Sequence, residues 1–86
     1  MERIEIITVK VEKVGKVWDT FTTSRGTTVI TLDPNFTREE AEAAVKEVKA
    51  LLKDVKIKAE VSYYWSNASE KPMKVSIKVT AKELNK

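Results

Sequence analysis

The chain has 86 residues, of which 42% are hydrophobic and 34% charged, and its net charge is +3. This length supports one hydrophobic core that buries roughly 60% of the unfolded surface, and the mixed composition is typical of a globular domain rather than a disordered chain. The sequence contains no Cys and no His, which excludes thiolate nucleophiles, imidazole bases and Cys/His zinc sites. We therefore predict a single domain, residues 1–86, that is not an enzyme and holds no cofactor or metal.

The sequence shows no targeting or membrane signal. No apolar run approaches the ~20 residues that a membrane-spanning helix needs. The first ten residues alternate between polar and apolar types instead of forming the apolar core of a signal peptide. We expect a soluble protein with no membrane partner, cytoplasmic if it is natural.

The first segment, Arg3–Val14, is rich in isoleucine and valine and predicts a long β-strand. Its apolar alternation changes phase between Ile6 and Ile7, which indicates a bulge that bends the strand. Gly15 then predicts a tight hairpin turn with a positive φ.

Two further strands, Val17–Thr23 and Thr27–Leu32, complete a predicted three-stranded meander. They are joined by a short turn in which Gly26 fits the left-handed position of a three-residue hairpin loop.

A helix is predicted from Thr37 to Lys53. Thr37 is the expected N-cap, Glu40 completes a capping box, and Phe36 is placed to pack on the first turn. Apolar residues then recur at intervals of three and four along one face. These residues are Ala41, Ala44, Val45, Val48, Leu51 and Leu52.

The last two predicted strands, Val55–Ser66 and Met73–Lys82, alternate between apolar and polar residues with a period of two. Such alternation favours a half-buried hairpin with one face on the core. The inward positions are Ile57, Ala59, Val61, Tyr63, Trp65, Met73, Val75, Ile77, Val79 and Ala81.

These elements predict an α+β fold with the order βββαββ, in which a five-stranded antiparallel, strongly curled sheet packs on one helix. One helix cannot cover five flat strands, so two alternatives stay open: a closed small barrel, or an apolar sheet face that pairs with another chain. The strand order with its helix after the third strand resembles the OB-fold in topology. That resemblance implies a ligand-binding surface at one end of the strands. Its residues would be Trp18, Phe21, Tyr63 and Trp65.

The outer face of the last hairpin is rich in lysine and carries one aromatic ring. Ammonium groups can contact phosphates and a tyrosine can stack on a base, so this face predicts binding of single-stranded nucleic acid. The alternative is that lysines fill solvent-facing positions for solubility and to discourage edge pairing. The residues concerned are Lys56, Lys58, Tyr64, Lys74, Lys78 and Lys82.

The sequence gives three functional hypotheses. The sequence contains thirteen lysines, ten glutamates, eleven valines and no glutamine. This composition resembles that of a computationally designed or idealised small α+β protein, or of a protein adapted to high temperature. The first hypothesis is therefore a non-enzymatic, thermostable scaffold or binding domain. The second is the single-strand binder. The third is a module that forms homodimers, predicted from the apolar residues on both faces at Ile6–Ile7 and Val17–Trp18.

Overall fold

The computed structural model describes residues 3–34, 36–63 and 73–85, with Tyr63 described for its backbone alone. Its α+β class and antiparallel sheet confirm the prediction. Among the described residues the sheet has four strands, in the order β1-β2-β4-β3. In chain order the elements are α1 (Arg3–Glu12), β1 (Val17–Thr22), β2 (Thr28–Leu32), α2 (Arg38–Leu51), β3 (Lys58–Tyr63), β4 (Met73–Val79) and α3 (Ala81–Leu84).

The first segment is the helix α1, so the predicted first strand is wrong. Ile4, Ile7 and Val11 follow the three-and-four spacing of one helical face, and Ile7 is 1% exposed whereas its neighbour Ile6 is 42% exposed. The change of phase at these two residues is what a helical period produces when it is read with a period of two. Burial of one helical face overrides the strand preference of β-branched residues.

Gly15 follows α1 instead of turning a hairpin. Its N–H donates to the Val11 carbonyl at 3.3 Å. A Cβ at this position would lie 3.1 Å from Cζ of Phe36, so glycine allows the ring to approach the chain closely. Gly26 does have the predicted positive φ, at 85°.

The sheet is open, with β1 and β3 at its two edges, so neither the OB-like barrel nor the strongly curled five-stranded sheet forms. The β1–β2 and β3–β4 hairpins are joined by antiparallel pairing of β2 with β4, which places Ile30 opposite Ile77. Two hairpins side by side thus replace the predicted three-stranded meander.

The helix α2 begins as predicted. The Thr37 side chain accepts a hydrogen bond from the Glu40 N–H at 3.1 Å, and Glu40 Oε1 accepts one from the Thr37 N–H at 2.9 Å. This capping box satisfies two N–H groups that the first turn leaves without a helical partner. The helix then buries Ala41, Ala44 and Val48 against the sheet.

The helices α1 and α2 cover the same face of the sheet. Ile7 of α1 and Val48 of α2 belong to one cluster with Ile30 and Ile77 of the central strands. The predicted inward positions Met73, Val75, Ile77 and Val79 are confirmed, whereas Ala81 lies on α3. Because side chains alternate along a strand, the residues between them point to the other face, which neither of these helices covers.

The strand β4 ends earlier than predicted, at Val79. The Thr80 side chain accepts a hydrogen bond from the Glu83 N–H at 3.3 Å and caps the short helix α3. Lys82 therefore lies on α3 and not on the sheet. β3 likewise begins at Lys58, three residues later than predicted.

Glu83 connects α3 to two other parts of the chain. It is 3% exposed, and its Oε1 lies 3.4 Å from Nη2 of Arg3 on α1. The same oxygen accepts a hydrogen bond from the Lys56 N–H at 2.9 Å. This carboxylate fixes the end of the chain beside the start of β3.

Candidate binding surface

We call the side of the sheet opposite α1 and α2 the open face. Strand register places its side chains in three rows across the sheet, because directly paired residues share a face. The first row is Phe21, Val29, Lys78 and Lys58; the second is Asp19, Thr31, Ser76 and Glu60; the third is Lys74 and Ser62.

A trough of about 380 Å³ lies in the open face. Val29 and Thr31 of the central strand β2 are buried and form its bottom. Phe21, which is 49% exposed, lines it on the β1 side, and Lys74 and Lys78 line it on the β4 side. The trough thus combines an aromatic ring with two ammonium groups and the carboxylate of Glu60, which also lines it.

Glu60 lies between two lysines of the open face. Lys58 and Lys78 are directly opposite each other, an arrangement of like charges that destabilises an antiparallel pair. Glu60 Oε1 compensates for this, since it lies 3.4 Å from Nζ of Lys58 and 3.6 Å from Nζ of Lys78. The close approach of the Lys58 ammonium lowers the pKa of Glu60 most, and the positive charge of Lys78 lowers it further.

Lys74 supplies a separate positive charge at the other end of the trough. It pairs in register with Ser62 and lies four residues along β4 from Lys78, about 14 Å in an extended strand. In the described chain no carboxylate lies within ion-pair distance of its ammonium group. This spacing exceeds the ~8 Å Debye length at physiological salt, so the charges of Lys74 and Lys78 are largely screened from each other. Each lysine can therefore contact its own anionic group.

The structure separates the lysines predicted to bind nucleic acid into two groups. Lys58, Lys74 and Lys78 lie on the open face, as predicted. Lys56 precedes β3 and Lys82 lies on α3, so these two lie beyond the strands and line a cavity at the end of the sheet, which Lys58 and Lys78 also line. Tyr64, the aromatic residue of that prediction, lies outside the described residues.

Of the four aromatic residues predicted as an OB-like ligand site, the two whose side chains the structure describes both lie on β1. Trp18 lies at a bulge in β1 and is half exposed, and Phe21 lies on the open face of the same edge strand. The Tyr63 backbone belongs to β3 at the opposite edge, and Trp65 lies outside the described residues. Only closure of a barrel would have brought these two edges together.

The sequence did not predict that Val29 and Thr31 form the bottom of a trough. All five residues of β2 are buried, although Val29 and Thr31 point away from the helices. A signal was present, because an unbroken run of valine, isoleucine, leucine and threonine is typical of a central strand with neighbours on both sides. The position of Phe21 beside the lysines follows only from the pairing of β2 with β4.

Comparison of the chain with protein-family models, curated proteins and solved structures finds no match. In the part of the chain that the structure describes, no group of three acidic side chains is placed to hold a metal ion. Within the same residues, no helix has both the length and the apolar character needed to cross a membrane. The candidate surface is therefore characterised by its own geometry and charge.

Proposed function

We propose that this protein is a non-catalytic binding domain whose open face binds single-stranded nucleic acid. The observation that carries the proposal is the trough in the open face, where Lys74 and Lys78 lie beside the half-exposed ring of Phe21. A positively charged groove that also offers an aromatic ring is the arrangement by which proteins bind single strands without strong sequence preference.

Each part of the trough has a role in this proposal. Lys74 and Lys78 in the trough contact phosphates, together with Lys58 elsewhere on the open face. Phe21 stacks on a base, an interaction worth about 1–3 kcal/mol per base. The bottom formed by Val29 and Thr31 accommodates a flat base.

The charge of the open face favours an anionic partner over a second copy of the chain. A two-fold homodimer through this face would place Lys58, Lys74 and Lys78 of both copies in one interface, with only Glu60 and Asp19 of each copy to offset them. The apolar residues of the face, Phe21 and Val29, form a small part of it. We therefore propose nucleic acid as the partner and treat the predicted homodimer as the alternative to be tested.

The test is titration of a labelled single-stranded oligonucleotide of about ten nucleotides at two salt concentrations, roughly 50 and 200 mM. Three phosphate contacts predict a slope of log affinity against log salt of about −2. Lys78→Ser should weaken binding and make the slope shallower by about 0.7. Lys53→Ser removes an exposed lysine near the end of α2 and serves as the matched control.

Two results would contradict the proposal. One is the absence of salt-dependent binding, and the other is an equal loss of affinity in the Lys53 control. The mass of the protein in solution distinguishes nucleic acid from a second copy of the chain as the partner. A monomer that binds the strand supports the proposal, whereas a dimer that Lys78→Ser stabilises and the oligonucleotide leaves unchanged supports the homodimer.

A further inference from the structure

A second cavity, of about 540 Å³, lies at the end of the sheet where β3 begins and β4 ends. Its volume is within the range of roughly 300–1,000 Å³ that is usual for ligand pockets. Ile57 and Lys56 line it just before β3, Thr27 lines it just before β2, and Lys82 lines it from α3. The cavity lies where β4 ends and α3 begins, because Lys78, Thr80 and Lys82 all line it.

Four lysines line the cavity: Lys56, Lys58, Lys78 and Lys82. Lys58 and Lys78 share the single carboxylate of Glu60. Neither Lys56 nor Lys82 has a carboxylate within ion-pair distance among the described residues. The positive charge of the lysines around the cavity therefore exceeds the negative charge of the carboxylates that contact them.

Glu83 does not remove this excess. It also lines the cavity, but its buried Oε1 already contacts Nη2 of Arg3 and accepts the hydrogen bond from the Lys56 N–H. The charge of Glu83 is thus balanced by Arg3 from α1. Among the described residues the ammonium groups of Lys56 and Lys82 therefore have no carboxylate partner, and those of Lys58 and Lys78 have Glu60 between them.

The cavity adjoins the trough of the open face at Lys78, which lines both. An extended oligonucleotide that lies in the trough and passes Lys78 would place its next phosphate at the cavity. The trough and the cavity can therefore bind one ligand together.

We infer that this cavity binds a phosphate monoester carried by a nucleotide. A terminal phosphate carries a charge of about −1.5 to −2 at pH 7, whereas a diester inside a strand carries about −1, so several lysines around one cavity favour the monoester. Ile57 and Thr27 offer a less polar wall for the base or sugar. The inference rests on the proposed function in one respect, since the nucleotide is then the phosphorylated end of the strand on the open face.

The experiment compares oligonucleotides of one sequence that carry either hydroxyl ends, a 5′-phosphate or a 3′-phosphate. We expect one terminal phosphate to tighten binding by about fivefold, the effect of one additional charge contact in a solvated site. Lys56→Ser/Lys82→Ser should abolish this ratio. Lys74→Ser should weaken binding of all the oligonucleotides while preserving the ratio, and Lys49→Ser/Lys53→Ser is the control for net charge.

The outcomes separate this inference from the proposed function. Equal affinities for phosphorylated and unphosphorylated ends would overturn the inference and leave the proposed function standing, as would a ratio retained in Lys56→Ser/Lys82→Ser. If no oligonucleotide binds but a nucleoside monophosphate shifts the amide resonances of Thr27 and Ile57, the inference holds and the proposed function fails. If neither ligand binds, both are wrong. All four substituted lysines in these double variants are exposed, so unchanged melting curves are expected.

Discussion

Glu60 shows how a single residue allows the lysines of the open face to lie close together. It contacts both Lys58 and Lys78, which are directly opposite each other in the sheet. An anionic ligand would supply the same compensation from outside the protein. Glu60 therefore stabilises the free sheet and, under the proposed function, would compete with a bound phosphate for these two ammonium groups.

The stabilisation by Glu60 should depend on pH. Because Lys58 and Lys78 hold the pKa of Glu60 below the ordinary value of 4.5, the ionised carboxylate stabilises the folded chain. This contribution is fully present above the ordinary pKa and is lost as the pH falls through the lowered pKa of the folded state. We expect Glu60→Gln to lower the urea midpoint at about pH 7 and to have a smaller effect at about pH 3.

Glu42→Gln is the matched control, since Glu42 is exposed on α2 and its replacement changes the net charge equally. An effect of Glu60→Gln that is the same at both pH values would contradict the assigned role of the two lysines.

At the residue scale, alternation within strands predicted Lys58, Lys74 and Lys78 on the open face, since a period of two fixes the face of every side chain. It failed for Lys56 and Lys82 because both lie beyond the strand ends, where the period no longer applies. The end of β4 did have a signal. Thr80 is followed three positions later by Glu83, the spacing of a helix N-terminus.

At the scale of elements, α1 is the main difference between prediction and structure. Six of its ten residues are β-branched, a composition that favours a strand. The helical spacing of Ile4, Ile7 and Val11 determines the outcome because it lets one face of α1 enter the core beside α2. The hairpins and α2 could be predicted because their signals are local, whereas the β2–β4 pairing joins segments far apart in sequence.

The helical assignment predicts different costs for two adjacent isoleucines. Ile7→Ala should lower the free energy of unfolding by about 2–5 kcal/mol, because it leaves a cavity in the core. Ile6→Ala should cost less than about 1 kcal/mol, since Ile6 is largely exposed and alanine favours a helix. Urea denaturation measures both values. Equal losses, or a larger loss for Ile6, would contradict the helix.

At the scale of the whole molecule, the two helices on one face leave four strands available for binding on the other. The open face is central to the account because its lysines, its aromatic ring and the cavity at its end all lie along it. The sequence suggested a sheet with a fifth strand, curled around a single helix. The replacement of the first strand by α1 therefore both supplies the second covering helix and leaves the sheet open.

Thermal stability tests the hypothesis of an idealised or heat-adapted chain. The sequence lacks Cys, His and Gln, and both α2 and α3 have side-chain N-caps. We predict a melting midpoint above about 60 °C for the monomer, beyond most of the range for mesophilic domains. Circular dichroism during heating provides the measurement, and a lower midpoint would count against the hypothesis. The β-branched composition of α1 is the feature that works against high stability.

The most direct test of the central claim is to map amide resonance shifts while a single-stranded oligonucleotide is added. The account predicts the largest shifts on the strands of the open face, at Phe21, Val29, Ser76 and Lys78, with little change at Ala41 on the covering helix. Shifts concentrated on α1 and α2, or no shifts at any strand concentration, would contradict it.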